Sequence, residues 1–126
     1  MALTNRPKTK NRIVGAFGEN AVADFLINRG SLIVERNWRI KEGEIDIVAT
    51  LPDRTIAFVE VKTRTSQAFG HPFEAITREK AHRLQRLALA WLATHKCLGS
   101  EYQVDCAAVL ISPDGSISIE YREKVL

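Results

Sequence analysis

The chain has 126 residues, 45% hydrophobic and 26% charged, the proportions of one globular domain long enough to bury a real core. Eighteen Lys and Arg against fifteen Asp and Glu leave a mild net charge of +3, and two cysteines do not make a disulfide framework. The N-terminus lacks an apolar signal core and the longest apolar run, Leu87 to Ala93, is far too short to cross a bilayer, so neither secretion nor membrane insertion is expected, and a cytoplasmic protein with reduced cysteines is.

Residues 1–11 are basic and polar, carry Arg6, Lys8 and Lys10, and are interrupted by Pro7; they read as a flexible arm ahead of a single domain over residues 12–126. From Arg12 to Arg29 the pattern is helical, with Gly30 placed as the C-cap. Asn20, Asp24 and Asn28 define the solvated face of this helix. At about 100° per residue, Glu19 lies about 140° from the middle of that face, alongside Val22, Ala23 and Leu26, and so points inward.

A β-run begins at Leu32 to Val34 and continues toward Trp38. Gly43 opens a second strand reaching Thr50, Leu51-Pro52-Asp53-Arg54 forms a turn, and Thr55 to Thr63 forms a third strand, giving a three-stranded meander. A loop containing Gly70 and Pro72 leads to Thr77, a suitable N-cap for a helix reaching Lys96. Leu84, Leu87, Ala88, Trp91, Leu92 and His95 mark its buried stripe, and Lys80 lies on the same stripe at the N-terminal end. Beyond Gly99 and Ser100, a strand runs from Tyr102 to Ile111, and Pro113-Asp114-Gly115 turns the chain into a short edge strand marked by Ile117, Ile119 and Tyr121. The predicted order is α-β-β-β-α-β-β, without internal repeats or an interdomain linker.

Three charged residues stand where this pattern calls for a core: Asp46, Glu60 and Lys62. Burying charge is costly without pairing or a metal ion. An acid-x-Lys triplet alone means little, since a chain of this length contains about one by chance. Placement is more telling. Glu60 and Lys62 share a strand face with Ile56 and Phe58, and antiparallel pairing back from the Pro52-Asp53 turn brings Asp46 to within a few residues of both. Glu44 shares the Asp46 face, while Glu19 and Lys80 approach from the two helices. Taken singly, each has a simpler reading: an i, i+2 ion pair for Glu60 and Lys62, a solvated carboxylate near a turn for Asp46, a helix-terminus charge for Glu19, a solvated lysine for Lys80. Jointly, their inward direction marks a site.

Carboxylates at close range repel unless one is protonated or a hard cation lies among them. Mg²⁺ binds through one or two carboxylates plus waters and phosphate oxygens, and a neighbouring lysine can orient a water or stabilise developing charge. Basic residues concentrate in two segments, the N-terminal one and residues 62–86, where Lys62, Arg64, Arg78, Lys80, Arg83 and Arg86 face only Glu74 and Glu79. A polyanion is the partner this distribution suits, the alternative being solvated basic faces. His71, His82 and His95 lack ligand-like spacing and read as surface or partly packed residues.

The segments Gly43-Glu44-Ile45-Asp46, Phe58-Val59-Glu60-Val61-Lys62-Thr63-Arg64 and Glu35-Arg36-Asn37-Trp38-Arg39 resemble the YraN-like bacterial proteins. That family is regarded as a branch of the restriction-endonuclease-like PD-(D/E)xK superfamily, near the archaeal Holliday-junction resolvases. The resemblance runs from about Gly15 to Leu110. It implies an α/β fold with an αβββαβ core, a central mixed sheet flanked by helices, and a divalent metal, Mg²⁺ or Mn²⁺. By the same resemblance Asp46 and Glu60 are metal ligands with the Val61 carbonyl as a third, Lys62 is the catalytic lysine, Glu19 the acidic residue of the first helix and Lys80 the auxiliary residue of the second. Ile45 stands where the superfamily has a proline, and Gln103-Val104-Asp105 stands where many relatives have Arg-Phe-Asp.

The expected function is a metal-dependent endonuclease hydrolysing phosphodiester bonds in DNA, of branched or structured form, with Arg12, Arg39, Arg64, Arg78 and Arg83 as nucleic-acid contacts. The alternatives are a non-catalytic nucleic-acid-binding module that retains the nuclease fold, and a protein-interaction domain whose charges form ion-pair networks. A four-way junction is two-fold symmetric, so a resolvase is expected to form a homodimer, with the edge near Ile117 to Tyr121 as one candidate surface.

Overall fold

The two helical stripes and the apolar strands need each other's surfaces to leave water, and the computed structural model shows which faces meet. It describes the backbone of residues 2–65 and 71–126 and the side chains of residues 12–65, 71–74 and 76–126; the basic side chains ahead of Arg12 and the turn residue Gly70 lie outside the described residues. The elements are α1 (Ala2–Asn28), β1 (Leu32–Ile40), β2 (Gly43–Thr50), β3 (Ile56–Arg64), a 3₁₀ turn (Pro72–Ala75), α2 (Arg78–Thr94), β4 (Tyr102–Ile111) and β5 (Ile117–Arg122). They form one mixed five-stranded sheet in the order β1-β2-β3-β4-β5, antiparallel except where β3 and β4 run parallel across the α2 crossover. This is the α/β architecture, in the αβββαβ order, that the sequence predicts.

Strand and α2 boundaries agree with the expected ones to within a residue or two, and Thr77 caps α2 by accepting from the Lys80 amide at 3.1 Å. The start of α1 differs: helical backbone begins at Ala2, ten residues before the Arg12 start that the apolar pattern indicates. Periodicity marks only the part of a helix that packs, whereas propagation past that part needs only one further hydrogen bond per residue.

The sheet separates two cores. On one face Val22, Ala23 and Leu26 of α1 pack against Ile47, Ala49, Ala57, Val59, Ala107 and Val109. On the other, Leu84, Leu87, Ala88, Trp91 and Leu92 of α2 pack against Ile45, Val48, Phe58 and Val104. The middle strands are buried on both faces, as a strand covered by helices on either side must be.

Residues 45 to 47 break simple alternation, because Ile47 joins the α1 core and Ile45 the α2 core. Between the pairs Arg36↔Ile47 and Trp38↔Ile45 lie Asp46 and Asn37, the latter at φ 54°, a left-handed conformation that re-aims side chains along a strand. Asp46 thus occupies a local twist of β2.

Helix α1 lies unusually close to β3 at Gly18, where a Cβ would come within 1.8 Å of Thr63 Oγ1 and 2.9 Å of Thr63 Cβ. Rotating the hydroxyl relieves only the first contact, so a side chain here pushes the helix off the sheet. Gly18→Ala is expected to lower stability by about 1–3 kcal/mol, measured by urea denaturation, despite alanine's better helix propensity.

Candidate active site

The β2–β3 ladder makes its last pair at Ile47↔Val59, one step short of Asp46 and Glu60. Beyond that point the strands part, and the Asp46 side chain enters the gap: its Oδ2 accepts the Val61 N–H at 2.8 Å. A side chain therefore replaces the ladder bond that the backbone no longer supplies. A residue's N–H and C=O point to the same edge of its strand, so the Val61 carbonyl also faces this gap, past the last pair of the ladder.

Asp46, Glu60, Lys62 and Lys80 meet in one cavity of about 230 Å³, walled also by Gly43, Glu44, Ile76, Ala81, Arg83, Leu84, Leu87 and Cys106. Glu60 and Lys62 project from the β3 face that carries Phe58, and their charged ends are 3.7 Å apart, both about 30% exposed. Glu44 stands at the rim, held by Arg39 at 2.8 Å.

Burial makes ionising these acids costly, and proximity adds to the cost. Asp46 is 7% exposed, and desolvation, followed by the charge on Glu60, pushes its carboxyl up to about 7. Desolvation also raises Glu60, against the opposing pull of Lys62. The Cys106 thiol, paired in register with Glu60, is pushed up to about 12 by burial and then by Glu60, so it remains a protonated, inert group in the cavity wall.

The structure does not bring every predicted residue to this cavity. Glu19 lies on the α1 side of the sheet, 3.7 Å from Arg36, and does not line the cavity, although its charge helps to raise Asp46 through the gap between the strands. Burial raises the Glu19 carboxyl as well. Among the predicted nucleic-acid contacts, Arg83 lines the cavity and Arg78 lines the one beside it. Arg39 is occupied by Glu44, Arg64 donates to its own Thr63 carbonyl at 3.3 Å, and Arg12 is exposed on α1. His71 pairs with Glu120 at 3.1 Å, and His95, expected on the buried stripe of α2, is instead its exposed C-cap residue, where the helix ends and the ring stacks on Trp91.

Two features escaped the sequence pattern. Cys106 stands opposite Glu60 through the parallel β3–β4 pairing, a register that no local signal specifies. Asp105 is fully buried and accepts from Gln103 Nε2, the Tyr121 hydroxyl and the Lys124 amide. Gln103 thus orients a buried acid.

Among the described residues no three His, Cys, Asp or Glu side chains form a ready metal cluster. The available donors are two carboxylates and a backbone carbonyl, a hard oxygen set that suits Mg²⁺ or Mn²⁺ rather than zinc. Three carboxylates (Glu44, Asp46, Glu60) face three cations (Lys62, Lys80, Arg83), so the cavity is near neutral by itself and a divalent cation would make it receptive to phosphate. An acidic pair with a raised pKa and a lysine over a strand gap fits such an ion.

The fold and cavity define an α/β protein with a carboxylate- and lysine-lined site at the point where two central strands diverge. The chain belongs to the uncharacterised protein family UPF0102, which matches residues 18–109 and so takes in Glu19, Asp46, Glu60, Lys62 and Lys80. It is 48% identical over 112 residues to a UPF0102 protein of Beutenbergia cavernae, covering 89% of this chain and 94% of that one. It is 45% identical over 112 residues to one of Clavibacter michiganensis subsp. michiganensis, with the same coverage, and 42% identical over 111 residues to one of Trichlorobacter lovleyi, covering 88% and 87%. No helix among the described residues is long and apolar enough to cross a membrane.

A folded-state carboxyl raised to about 7 binds its proton more tightly than the unfolded chain does, so its cost to stability grows from about pH 4 to about pH 7 and is constant above. Asp46→Asn can still accept from Val61 without carrying the charge. It should raise stability by about 1–4 kcal/mol at pH 8 without divalent metal, with the gain shrinking toward pH 4, as read by denaturation midpoints across pH.

Proposed function

We propose that the protein is a metal-dependent endonuclease that hydrolyses phosphodiester bonds in branched or structured DNA, related to the PD-(D/E)xK nucleases and the archaeal Holliday-junction resolvases. The observation that carries this reading is the buried Asp46 beside the partly exposed Glu60, with Lys62 on the same cavity wall. A protein that only needed stability would fill the position of Asp46 with an apolar side chain, because burying a carboxyl beside a second acid costs free energy.

Asp46, Glu60 and the Val61 carbonyl would hold Mg²⁺ or Mn²⁺, which supplies a Lewis acid for a phosphate oxygen and lowers the pKa of a bound water. With Oδ2 tied to the Val61 amide, Asp46 keeps Oδ1 for such a ligand role. Lys62, whose ammonium lies 3.7 Å from Glu60, would orient an attacking water or meet charge developing on the phosphate. Lys80 and Arg83 on the opposite wall offset the Glu60 charge and give the diester two further donors. A two-fold substrate calls for two copies of the site, and β5 is an edge strand with Ile117 exposed, available for pairing between copies.

Purified protein supplied with Mg²⁺ or Mn²⁺ should cut at least one of a four-way junction, a flap and a single strand, resolved on denaturing gels. Asp46→Ala and Lys62→Ala should each reduce the rate by about 100-fold or more. No cleavage of any form with either metal would sink catalysis, and cleavage surviving both substitutions would locate it elsewhere. DNA binding that is indifferent to metal, without cleavage, would favour the non-catalytic module.

A further inference from the structure

The acidic cavity does not end at its own wall. Through Ile76, Ala81 and Cys106 it adjoins a larger hollow of about 920 Å³, set between the first turns of α2 and the segment that follows β5. Arg78 and His82 line one side, one helical turn apart, and Arg122 and Lys124 line the other. The acid on this wall, Glu123, accepts from Gln103 Nε2 at 3.0 Å and is thereby drawn toward the buried Asp105 group. Three permanent cations, Arg78, Arg122 and Lys124, line the hollow with one tethered carboxylate, while Arg122 also lies 3.9 Å from Glu120 in an exposed pair at the rim. Arg122 is also pre-positioned: its guanidinium lies over the Phe73 ring, 4.1 Å from the centroid, so its long side chain is held against the groove wall. Beyond Lys124, a further hollow of about 320 Å³ shares Gln85, Lys124 and Leu126 and includes Tyr102.

We propose that this groove binds a single-stranded nucleic-acid segment leading away from the scissile phosphate, with Arg78, His82 and Lys124 on its backbone and the Phe73-supported Arg122 as a stacking surface for a base. The inference rests on the nuclease reading for its direction, but not for the binding itself. Cations flanking a groove with an aromatic-backed guanidinium are what single strands use, phosphates taking the charge and bases the flat face. A duplex presents no free base face to Arg122, so the groove distinguishes a frayed or branched end from continuous double helix.

The test uses fluorescein-labelled oligo-dT and anisotropy in EDTA, which removes catalysis from the measurement. Wild-type protein should bind oligo-dT, and Arg78→Glu with Arg122→Glu should weaken binding at least tenfold and flatten the log–log salt dependence by about 0.7, for the one phosphate contact, that of Arg78, which is lost. Arg78→Lys with Arg122→Lys, which keeps the charges, should stay within about threefold for the backbone component, and circular dichroism of both pairs checks folding. As a measurement without variants, photo-cross-links from 4-thio-dT should fall on the peptides containing Phe73 to His82 or Arg122 to Leu126. Wild-type affinity in the charge-reversed pair, cross-links confined to other peptides, polyglutamate bound as tightly as oligo-dT, or no oligo-dT binding would each overturn the proposal. Groove-dependent binding without cleavage would count against the nuclease alone, and cleavage with groove-independent binding against the groove alone.

Discussion

The hydrogen bond from the Val61 amide to Asp46 Oδ2 governs the rest of this site. It lies where the β2–β3 ladder stops, and it satisfies an N–H that would otherwise be buried without a partner, at a cost of about 1–3 kcal/mol. The same bond fixes a carboxylate among desolvating walls and beside Glu60, where it prefers to be protonated. The strand gap therefore satisfies the backbone and leaves an unmet charge requirement at one point. With the carboxyl raised to about 7, a proton meets that requirement in the free protein only below neutral pH.

The flanking layers determine how this centre is surrounded. On one face α2 brings Lys80 and Arg83 over the cavity, because Leu84, Leu87 and Trp91 anchor its inner stripe on Phe58 and Val104. On the other face α1 sits deep on β3 because Gly18 has no side chain to hold it away from Thr63. That depth sets how strongly Glu19 is felt at Asp46, although Arg36 holds Glu19 outside the cavity itself. The helices therefore play unlike parts: one supplies cations at the surface of the site, and the other supplies a buried negative charge behind it.

Much of the fold was legible because its signals are local. The Pro52 turn, the Thr77 cap, the Gly30 stop and the alternation of β3 each depend on residues within a few positions of one another, and the structure places the elements accordingly. The direction of Glu60 and Lys62 followed from the same periodicities, whereas Lys80, expected to point inward, lines the cavity as an exposed residue of the first turn of α2. What periodicity could not convey was the break at residues 45 to 47, since it arises from Asn37 on the neighbouring strand adopting a left-handed conformation. Nor could it reveal that Glu19, although inward, would meet Arg36 before it met the cavity.

The sequence by itself determined the chain of elements, the separation of two apolar faces and the small group of charges that a core cannot hold unaided. Local dihedral preference and burial period encode such properties, and both act over a few residues. Only the tertiary structure decided that Asp46 lies between the strands, that Cys106 stands opposite Glu60, and that the acidic cavity continues into a cationic groove. Each of those depends on where one strand's pairing ends or on which strand lies beside another, and contacts between residues far apart in the chain have no period to announce them.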